Sequence, residues 1–230
     1  MAPVENQLIA RLPRPSRSSL LGLCELVQLK FADVICVGGK PLRHAYFPTT
    51  GFVSMVAMLD GEPALEVSMV GGEGMLGAQM ALGVAHEPLR AIVQGRGSSW
   101  RIEIVAFRRE LQNNPALQQS LLRYLHVTMT QLAGSAACLR FHRLGPRLAR
   151  WLLMTQDRAK SDHLEVTHEF LSYMLGVRRV SITIAAAALQ RQGLVEYQRG
   201  NIRIINRSRL KKAACSCYAT DQKAYAEHLN

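Results

Sequence analysis

The chain has 230 residues, of which 48% are hydrophobic, so it can build the cores of one large or two modest globular domains and is not a disordered polypeptide. Its formal charge of +11 is uneven, because residues 141–230 hold 15 basic against 7 acidic residues and residues 1–140 hold 13 against 10. No apolar run approaches membrane-spanning length and the five cysteines are scattered, so we expect a cytoplasmic protein with reduced thiols whose basic end attracts nucleic acid.

The N-terminal region is predicted to form two short helices. Residues 1–5 show no basic stretch followed by an apolar core, as a secretory signal would. Helical patterns then cover residues 5–12 and 18–26, on either side of the helix-breaking segment Pro13-Arg14-Pro15.

From residue 27 to residue 104 the pattern is typical of short β-strands. Turn signals such as Gly38-Gly39 and Asp60-Gly61 separate runs of apolar and β-branched residues. The predicted strands cover residues 33–37, 44–47, 52–59, 64–70, 90–94 and 98–104. Regularly spaced strands and turns indicate a small antiparallel barrel or roll.

Helical patterns return at residues 105–111, and a long helix without internal proline follows Pro115 and ends near residue 140. Apolar and small residues recur along it at alternating spacings of four and three, which is typical of a coiled-coil seam. This seam comprises Leu121, Leu125, Thr128, Leu132, Ser135 and Leu139, with Leu122, Met129 and Ala136 beside it. Its partner is either the roll of its own chain or the same helix of a second chain, and we favour the second chain.

Gly145-Pro146 would start another helix and marks the boundary to a second domain, in which residues 167–205 read as a winged helix-turn-helix. Thr167 caps a first helix and Gly176 breaks it. A second helix follows, and residues 194–197 and 202–205 form a two-stranded wing after it. The exposed N-terminal end of the second helix, which would enter the major groove of DNA, carries Arg178, Arg179, Ser181, Thr183 and Ile184.

Four short motifs occur in order in this domain: T-H-E, L-G-V-x-R, L-x-x-x-G-L and R-G-x-I-x-I, which begin at Thr167, Leu175, Leu189 and Arg199. Through them, residues 166–206 resemble the DNA-binding end of the Crp/Fnr regulators. The resemblance implies an α+β fold with an N-terminal antiparallel, jelly-roll-like β-roll, a long dimerisation helix and a C-terminal winged helix-turn-helix. We therefore predict a β-roll sensory domain over residues 1–114, a dimerisation helix over 115–143, a winged helix-turn-helix over 144–213 and a tail over 214–230.

The same resemblance implies how DNA would be read. Arg179 matches the family's guanine-contacting arginine. The next two base-reading positions, a Glu and an Arg in the family, hold Val180 and Ile184, which offer only contacts to thymine methyl groups. The wider set, expected to hold phosphates more often than bases, comprises Thr167, His168, Arg178, Ser181, Thr183 and Arg199.

Members that bind a cyclic nucleotide hold it with a G-E pair and an R-S/T-A segment. Gly77 matches the family glycine, but Ala78 replaces the ribose-binding Glu and Leu89 replaces the phosphate-binding Arg. A shifted alignment would instead pair Glu73 with Arg90; otherwise these two residues form a surface or structural pair. Glu73, Gly77 and Arg90 are therefore the candidate effector pocket, and we expect no cyclic nucleotide in it.

We expect no metal, cofactor or catalytic site. Cys215 and Cys217 could share a zinc ion, but two ligands do not close a tetrahedral site, so their role stays open. Cys24 and Cys36 do not replace the N-terminal cysteine cluster of the family's iron-sulfur sensors. The sequence has no nucleophile elbow, phosphate-binding lysine loop or dinucleotide motif, and the histidines, His44, His126 and His142 among them, are assigned packing or surface roles.

These patterns predict a homodimeric transcription factor that binds double-stranded DNA at a palindromic operator, with RNA polymerase as a candidate further partner and an unknown effector. An alternative within regulation is a DNA-binding architectural protein of low sequence specificity. A cupin-type enzyme is the other alternative, and it rests on the barrel pattern alone.

Overall fold

The computed structural model describes residues 6–58, 60 and 64–229. The predicted helix start at Glu5, the strand end at Leu59 and the turn residue Gly61 lie outside these residues. Within them the chain forms a mixed helical and antiparallel β structure, and the predicted fold class is confirmed.

Two short helices precede the roll, α1 (Gln7–Ala10) and α2 (Arg14–Gly22). The side chain of Asn6 caps α1, and its Nδ2 donates to the carbonyl oxygens of Pro48 and Gly74 at 2.9 and 2.7 Å, which fixes α1 to the roll. The second helix was predicted to reach residue 26, and this was wrong. It ends at Gly22, and the next segment becomes a strand because it pairs along its whole length with a later strand.

The described residues of the roll form nine strands and a short 3-10 helix at Ala78–Leu82. The strands are β1 (Glu25–Leu29), β2 (Val34–Cys36), β3 (Lys40–Pro41), β4 (His44–Pro48), β5 (Phe52–Ala57), β6 (Leu65–Val70), β7 (His86–Glu87), β8 (Arg90–Gly95) and β9 (Gly97–Glu103). They form antiparallel sheets in the orders β1-β9-β4, β2-β8-β5-β6 and β3-β7. Val53 and Val93 pair across β5 and β8 and lie, fully buried, in a core shared by both larger sheets.

Helices α3 (Ile104–Asn113) and α4 (Pro115–Phe141) follow the roll. The side chain of Asn114 caps α4 by accepting from the backbone N–H of Leu117 at 3.2 Å, and Pro115 occupies the first turn, where its missing N–H costs nothing. One face of α4 packs into its own roll, since Leu121 is fully buried in a cluster with Phe47 and Phe107.

The C-terminal domain contains α5 (Leu144–Ala159), β10 (His163–Glu165), α6 (His168–Leu175), α7 (Arg179–Arg191), β11 (Val195–Gln198), β12 (Asn201–Ile204) and α8 (Arg207–Ala213). The sequence did not predict β10, which pairs Leu164 with Ile202 and makes the wing sheet three-stranded. No single described helix is long and apolar enough to cross a membrane; α6 and α7 reach that length and composition only as a pair bent by 107°.

The C-terminal tail predicted over residues 214–230 contains a helix that the sequence analysis did not predict. Residues Cys217–Leu229 form this helix, α9, which packs along α4. Tyr225 donates its hydroxyl hydrogen to Gln131 Oε1 at 3.3 Å, and Asp221 forms a 2.8 Å ion pair with Arg150 of α5. The buried positions of α9 include the charged residue Asp221 and follow no clear apolar period. The sequence pattern therefore did not predict this helix.

The roll and the C-terminal domain are in direct contact. Phe52 and Met69 of the roll are buried in the same cluster as the core of the C-terminal domain. The indole N–H of Trp151 donates to Glu66 Oε1 at 2.7 Å, and the hydroxyl of Ser54 donates to the other carboxylate oxygen of Glu66. The contact therefore contains a carboxylate shared by β5, β6 and α5.

Glu66 should make stability depend on pH. Burial raises the pKa of Glu66 to about 7 from its ordinary 4.5, against the hydrogen bonds of Ser54 and Trp151, which lower it. The folded state holds the proton more tightly than the unfolded state, so the stabilisation is complete below the unfolded pKa and is lost as the pH rises through about 7.

Between about pH 5 and pH 8, the free energy of unfolding of the wild-type protein should fall by about 2 to 3 kcal/mol, and its Tm by several degrees, relative to those of Glu66→Gln. The amide of this variant cannot ionise. Thermal unfolding of both proteins across this range measures the difference, and equal pH profiles would contradict the role of Glu66.

Candidate nucleic-acid interface and effector pocket

The helix-turn-helix is built from local backbone signals. Thr167 Oγ1 accepts from the N–H of Phe170 at 3.0 Å and starts α6, as an N-cap should. Gly176 ends α6 with φ of +61°, a left-handed conformation that costs glycine little. The bend of 107° between α6 and α7 lies in the range of DNA-binding helix-turn-helix units.

The N-terminal end of α7 projects from the domain. Ile182, Ala185, Ala186 and Leu189 form the buried face of this helix. The opposite face exposes Arg178, Arg179, Val180, Thr183 and Ile184, and Ser181 is half-buried. Two large apolar side chains on this face are open to solvent, since Val180 is 61% and Ile184 64% exposed.

The backbone N–H groups at the start of α7 provide further positive potential beside the arginine side chains. Arg178 is the N-cap residue, and no side chain caps the helix there. The N–H of Ser181 donates to the carbonyl of Arg178 at 2.9 Å, but no side chain caps the N–H groups before it, which lie at the positive end of the helix dipole, where phosphate oxygens bind.

His168, a predicted phosphate contact, also packs against other elements of the helix-turn-helix. Its ring stacks on Tyr197 of β11 with centroids 4.0 Å apart, and its Nδ1 lies 3.0 Å from Thr183 Oγ1 on α7. Burial, and then the positive charge of Arg179, lower the pKa of His168, so near neutral pH the ring brings no charge to the surface. His168 thus joins α6, α7 and the wing.

The wing ends in a two-residue turn. Arg199 and Gly200 have φ of +38° and +87°, and Gln198 pairs with Asn201. Positive φ at both central residues matches the hairpin turns whose twist suits antiparallel strands. The turn presents the exposed side chain of Arg199.

The predicted seam of α4 is only partly accessible in the structure. Leu121 is fully buried in the core of its own chain, so it cannot contact a second chain. Met129 is 67% and Leu122 43% exposed, whereas Thr128 and Ser135 are half-buried on the inner side. The apolar stripe that remains accessible on α4, here called the α4 stripe, comprises Leu122, Leu125, Met129, Leu132, Ala136 and Leu139. It keeps the heptad spacing, and three of its members were predicted beside the seam rather than in it.

The candidate effector residues are not brought together. Glu73 Oε1 lies 2.7 Å from Arg158 Nε of α5, so Glu73 pairs with the C-terminal domain and the predicted pairing with Arg90 is wrong. Gly77, with φ of +101°, lines a cavity of about 180 Å³ between the roll and α4, and neither Glu73 nor Arg90 lines it.

This cavity is chemically unsuited to a phosphodiester. Ala78, Leu89 and Thr128 are among the residues that line it, and none of its described lining residues is basic. The buried carboxyl of Glu87 lies at its wall and accepts from the N–H of Leu89 at 3.2 Å, and burial raises its pKa. A phosphate there would meet a carboxyl group and apolar side chains without a charge-assisted partner.

Comparison with known proteins agrees with this geometry. Residues 146–213 match the family of Crp-like helix-turn-helix domains. No curated protein sequence matches the chain significantly. Among solved structures, a Crp/Fnr-family transcriptional regulator from Eubacterium rectale matches 91% of this chain and 99% of its own, with a TM-score of 0.70 and 17% identity.

Two other solved structures are similar. The c-di-GMP-responsive global regulator CLP of Xanthomonas campestris matches 84% of this chain and all of its own, with a TM-score of 0.68 and 16% identity. A Crp-family transcriptional regulator from Thermus thermophilus matches 82% and 96%, with a TM-score of 0.67 and 22% identity. Residues 146–213 are thus similar to the Crp-like helix-turn-helix domains, and the chain as a whole has the fold of the Crp/Fnr transcriptional regulators.

Proposed function

We propose that this protein is a sequence-specific DNA-binding transcriptional regulator that acts as a homodimer on a two-fold-symmetric operator. One observation carries the proposal: the uncapped, solvent-exposed start of α7 presents Arg178 and Arg179 beside Val180 and Ile184. Cationic and apolar groups at the N-terminal end of a recognition helix can contact base edges in the major groove.

The proposed roles differ along this surface. Arg179 reads a guanine through O6 and N7, and Val180 and Ile184 contact thymine methyl groups. The phosphate contacts are proposed for Thr167, Arg178, Ser181, Thr183 and Arg199, and His168 positions α7 and the wing. These polar contacts supply affinity and register, and the three base contacts supply sequence preference.

The α4 stripe supplies the proposed dimer interface. Met129 is two-thirds exposed at the centre of a helix of 27 residues, and the stripe repeats at coiled-coil spacing on both sides of it. Pairing two such helices would place two copies of α7 on adjacent major grooves of one DNA face, about one helical turn apart.

Competition in a gel shift tests specificity against the architectural alternative. A labelled operator obtained by selection is bound by the full chain, and unlabelled operator or unrelated duplex is added. We expect unrelated DNA to compete at least about 10³-fold less well than the operator. Equal competition by the two duplexes would favour an architectural protein.

Cyclic AMP and cyclic GMP should not be effectors. None of the described residues that line the cavity beside Gly77 is basic, and the carboxyl group of Glu87 at its wall opposes a phosphate. Calorimetry should show no binding of either nucleotide at micromolar concentrations, and the operator affinity should not change when they are added. Micromolar binding together with a changed operator affinity would show that the cavity rearranges to admit the ligand.

A further inference from the structure

Four metal-ligating side chains converge where α4, α5 and α9 meet. Cys138 lies in the last turn of α4 and His142 follows that helix, whereas Cys215 and Cys217 precede and begin α9. The Sγ atoms of the three cysteines and a ring nitrogen of His142 all lie within 4.8 Å of one another. We propose that these four residues form a tetrahedral Cys3His site for Zn²⁺.

The distances within this cluster suit the proposed ion. A Zn–S bond is about 2.3 Å and a Zn–N bond about 2.0 Å, so sulfur atoms on one tetrahedral zinc ion lie about 3.8 Å apart and sulfur and nitrogen slightly closer. Cys138 Sγ lies 3.6 Å from Cys215 Sγ, and Cys217 Sγ lies 3.5 Å from His142 Nδ1. Two opposite edges of the tetrahedron are therefore present, and the other edges, which are at most 4.8 Å long, need to shorten by at most about 1.3 Å.

The backbone holds the four ligands in place. The N–H of His142 donates to the carbonyl of Cys138 at 3.1 Å, so these two side chains lie one helical turn apart on one face. The N–H of Cys215 donates to the carbonyl of Pro146 at 3.3 Å, which fixes the second pair of ligands to the start of α5. All four ligands thus come from segments that are already packed together.

The charge around the cluster matches the ion. Three thiols release three protons when they bind Zn²⁺, and neutral His142 contributes the lone pair of Nδ1, so the loaded site carries one negative charge. Cys138 lines a cavity together with Arg147 and Arg150, whose guanidinium groups are positive. Arg150 is already paired with Asp221, so the guanidinium group of Arg147 offsets the single negative charge of the loaded site.

A disulfide explains less of the arrangement. The two sulfurs of Cys138 and Cys215 are well beyond the bond length of about 2.05 Å, and both are free. A disulfide would also leave unexplained why Cys217 and His142 lie against the same pair. Zinc would join the end of α4, the link to α5 at residues 142–143 and the start of α9, and so restrict motion between the long helix and the DNA-binding domain.

Metal analysis and a Co²⁺ titration test the site on the full chain under reducing conditions. We expect about one zinc per chain as purified, and after chelation Co²⁺ should give the visible bands of tetrahedral cobalt with thiolate charge transfer in the near ultraviolet. Zn²⁺ should remove both signals and raise the Tm of the stripped protein.

Two partly exposed ligands provide variants that should still fold. Mutation of a residue that only supports a metal ligand typically weakens metal binding by about 10- to 100-fold. Cys217→Ser and His142→Ala should each weaken Zn²⁺ binding by more than that, because each removes a ligand. Cys24→Ser is the matched control, because Cys24 lies outside the cluster, and it should bind as wild type does.

Several outcomes would overturn the proposal. The first two are that the reduced protein binds neither Zn²⁺ nor Co²⁺, and that the cobalt spectrum is unchanged in both ligand variants. The other two are that the purified protein contains iron instead of zinc, and that a Cys138–Cys215 disulfide accounts for all loss of thiols. None of these measurements uses DNA, so they stand or fall independently of the proposed operator binding.

Discussion

Met129→Asp should convert the protein to a monomer and lower its operator affinity by at least about 100-fold. Met129 is 67% exposed, so the change should leave the chain folded. In a dimer through the α4 stripe it would bury a carboxylate beside its symmetry mate, which costs several kcal/mol. The loss of affinity follows because each monomer then binds its half-site without the effective concentration supplied by its partner.

Light scattering measures the mass of the variant, and a gel shift measures its affinity. Thr130→Asp is the matched control, because Thr130 is the next residue on α4 and is exposed off the α4 stripe. It should remain a dimer with wild-type affinity. A dimeric Met129→Asp variant would place the interface on another surface.

Arg179→Ala should remove the preference for one base pair in each half-site. A bidentate contact between arginine and guanine is worth about 1–3 kcal/mol of discrimination, or roughly 5- to 150-fold in affinity. Binding of wild type and variant to the operator and to the four single-base versions at that position gives the preference directly. The variant should bind all four with similar affinity.

Arg191→Ala provides a control with the same change of charge, since Arg191 is exposed at the other end of α7. It should keep the base preference. If Arg179→Ala weakens binding to every sequence equally and lowers the salt dependence by about one ion, Arg179 contacts a phosphate instead.

The fold followed from local signals wherever these agreed with the tertiary contacts. Thr167 and Gly176 set the limits of α6 through capping and φ, and both were evident in the sequence. The strand at Glu25–Leu29 and the helix at Cys217–Leu229 were not predicted, because their apolar residues lack a clear period and their pairing partners lie far along the chain. Long-range contacts override weak local preferences at such positions.

The sites were predictable to different degrees. Two adjacent stripes of α4, one containing Leu121 and one containing Met129, both show the alternating spacing of four and three residues. Only the packing of the folded chain shows that Leu121 is buried and Met129 is exposed. The pairing of Glu73 with Arg158 depends on docking of the C-terminal domain, which no spacing encodes. Cys138 and His142 carried a detectable signal, because a Cys and a His four residues apart share a helix face, but their partners 73 or more residues away appeared only in the fold.

The full chain can be used to select binding sites from random double-stranded DNA. We expect enrichment of a two-fold-symmetric site whose half-sites lie about 10 base pairs apart, centre to centre, each with a guanine flanked by A·T pairs that differ from the family's usual operator. Enrichment of no sequence, or of a single asymmetric half-site, would contradict a dimer that reads DNA with two copies of α7.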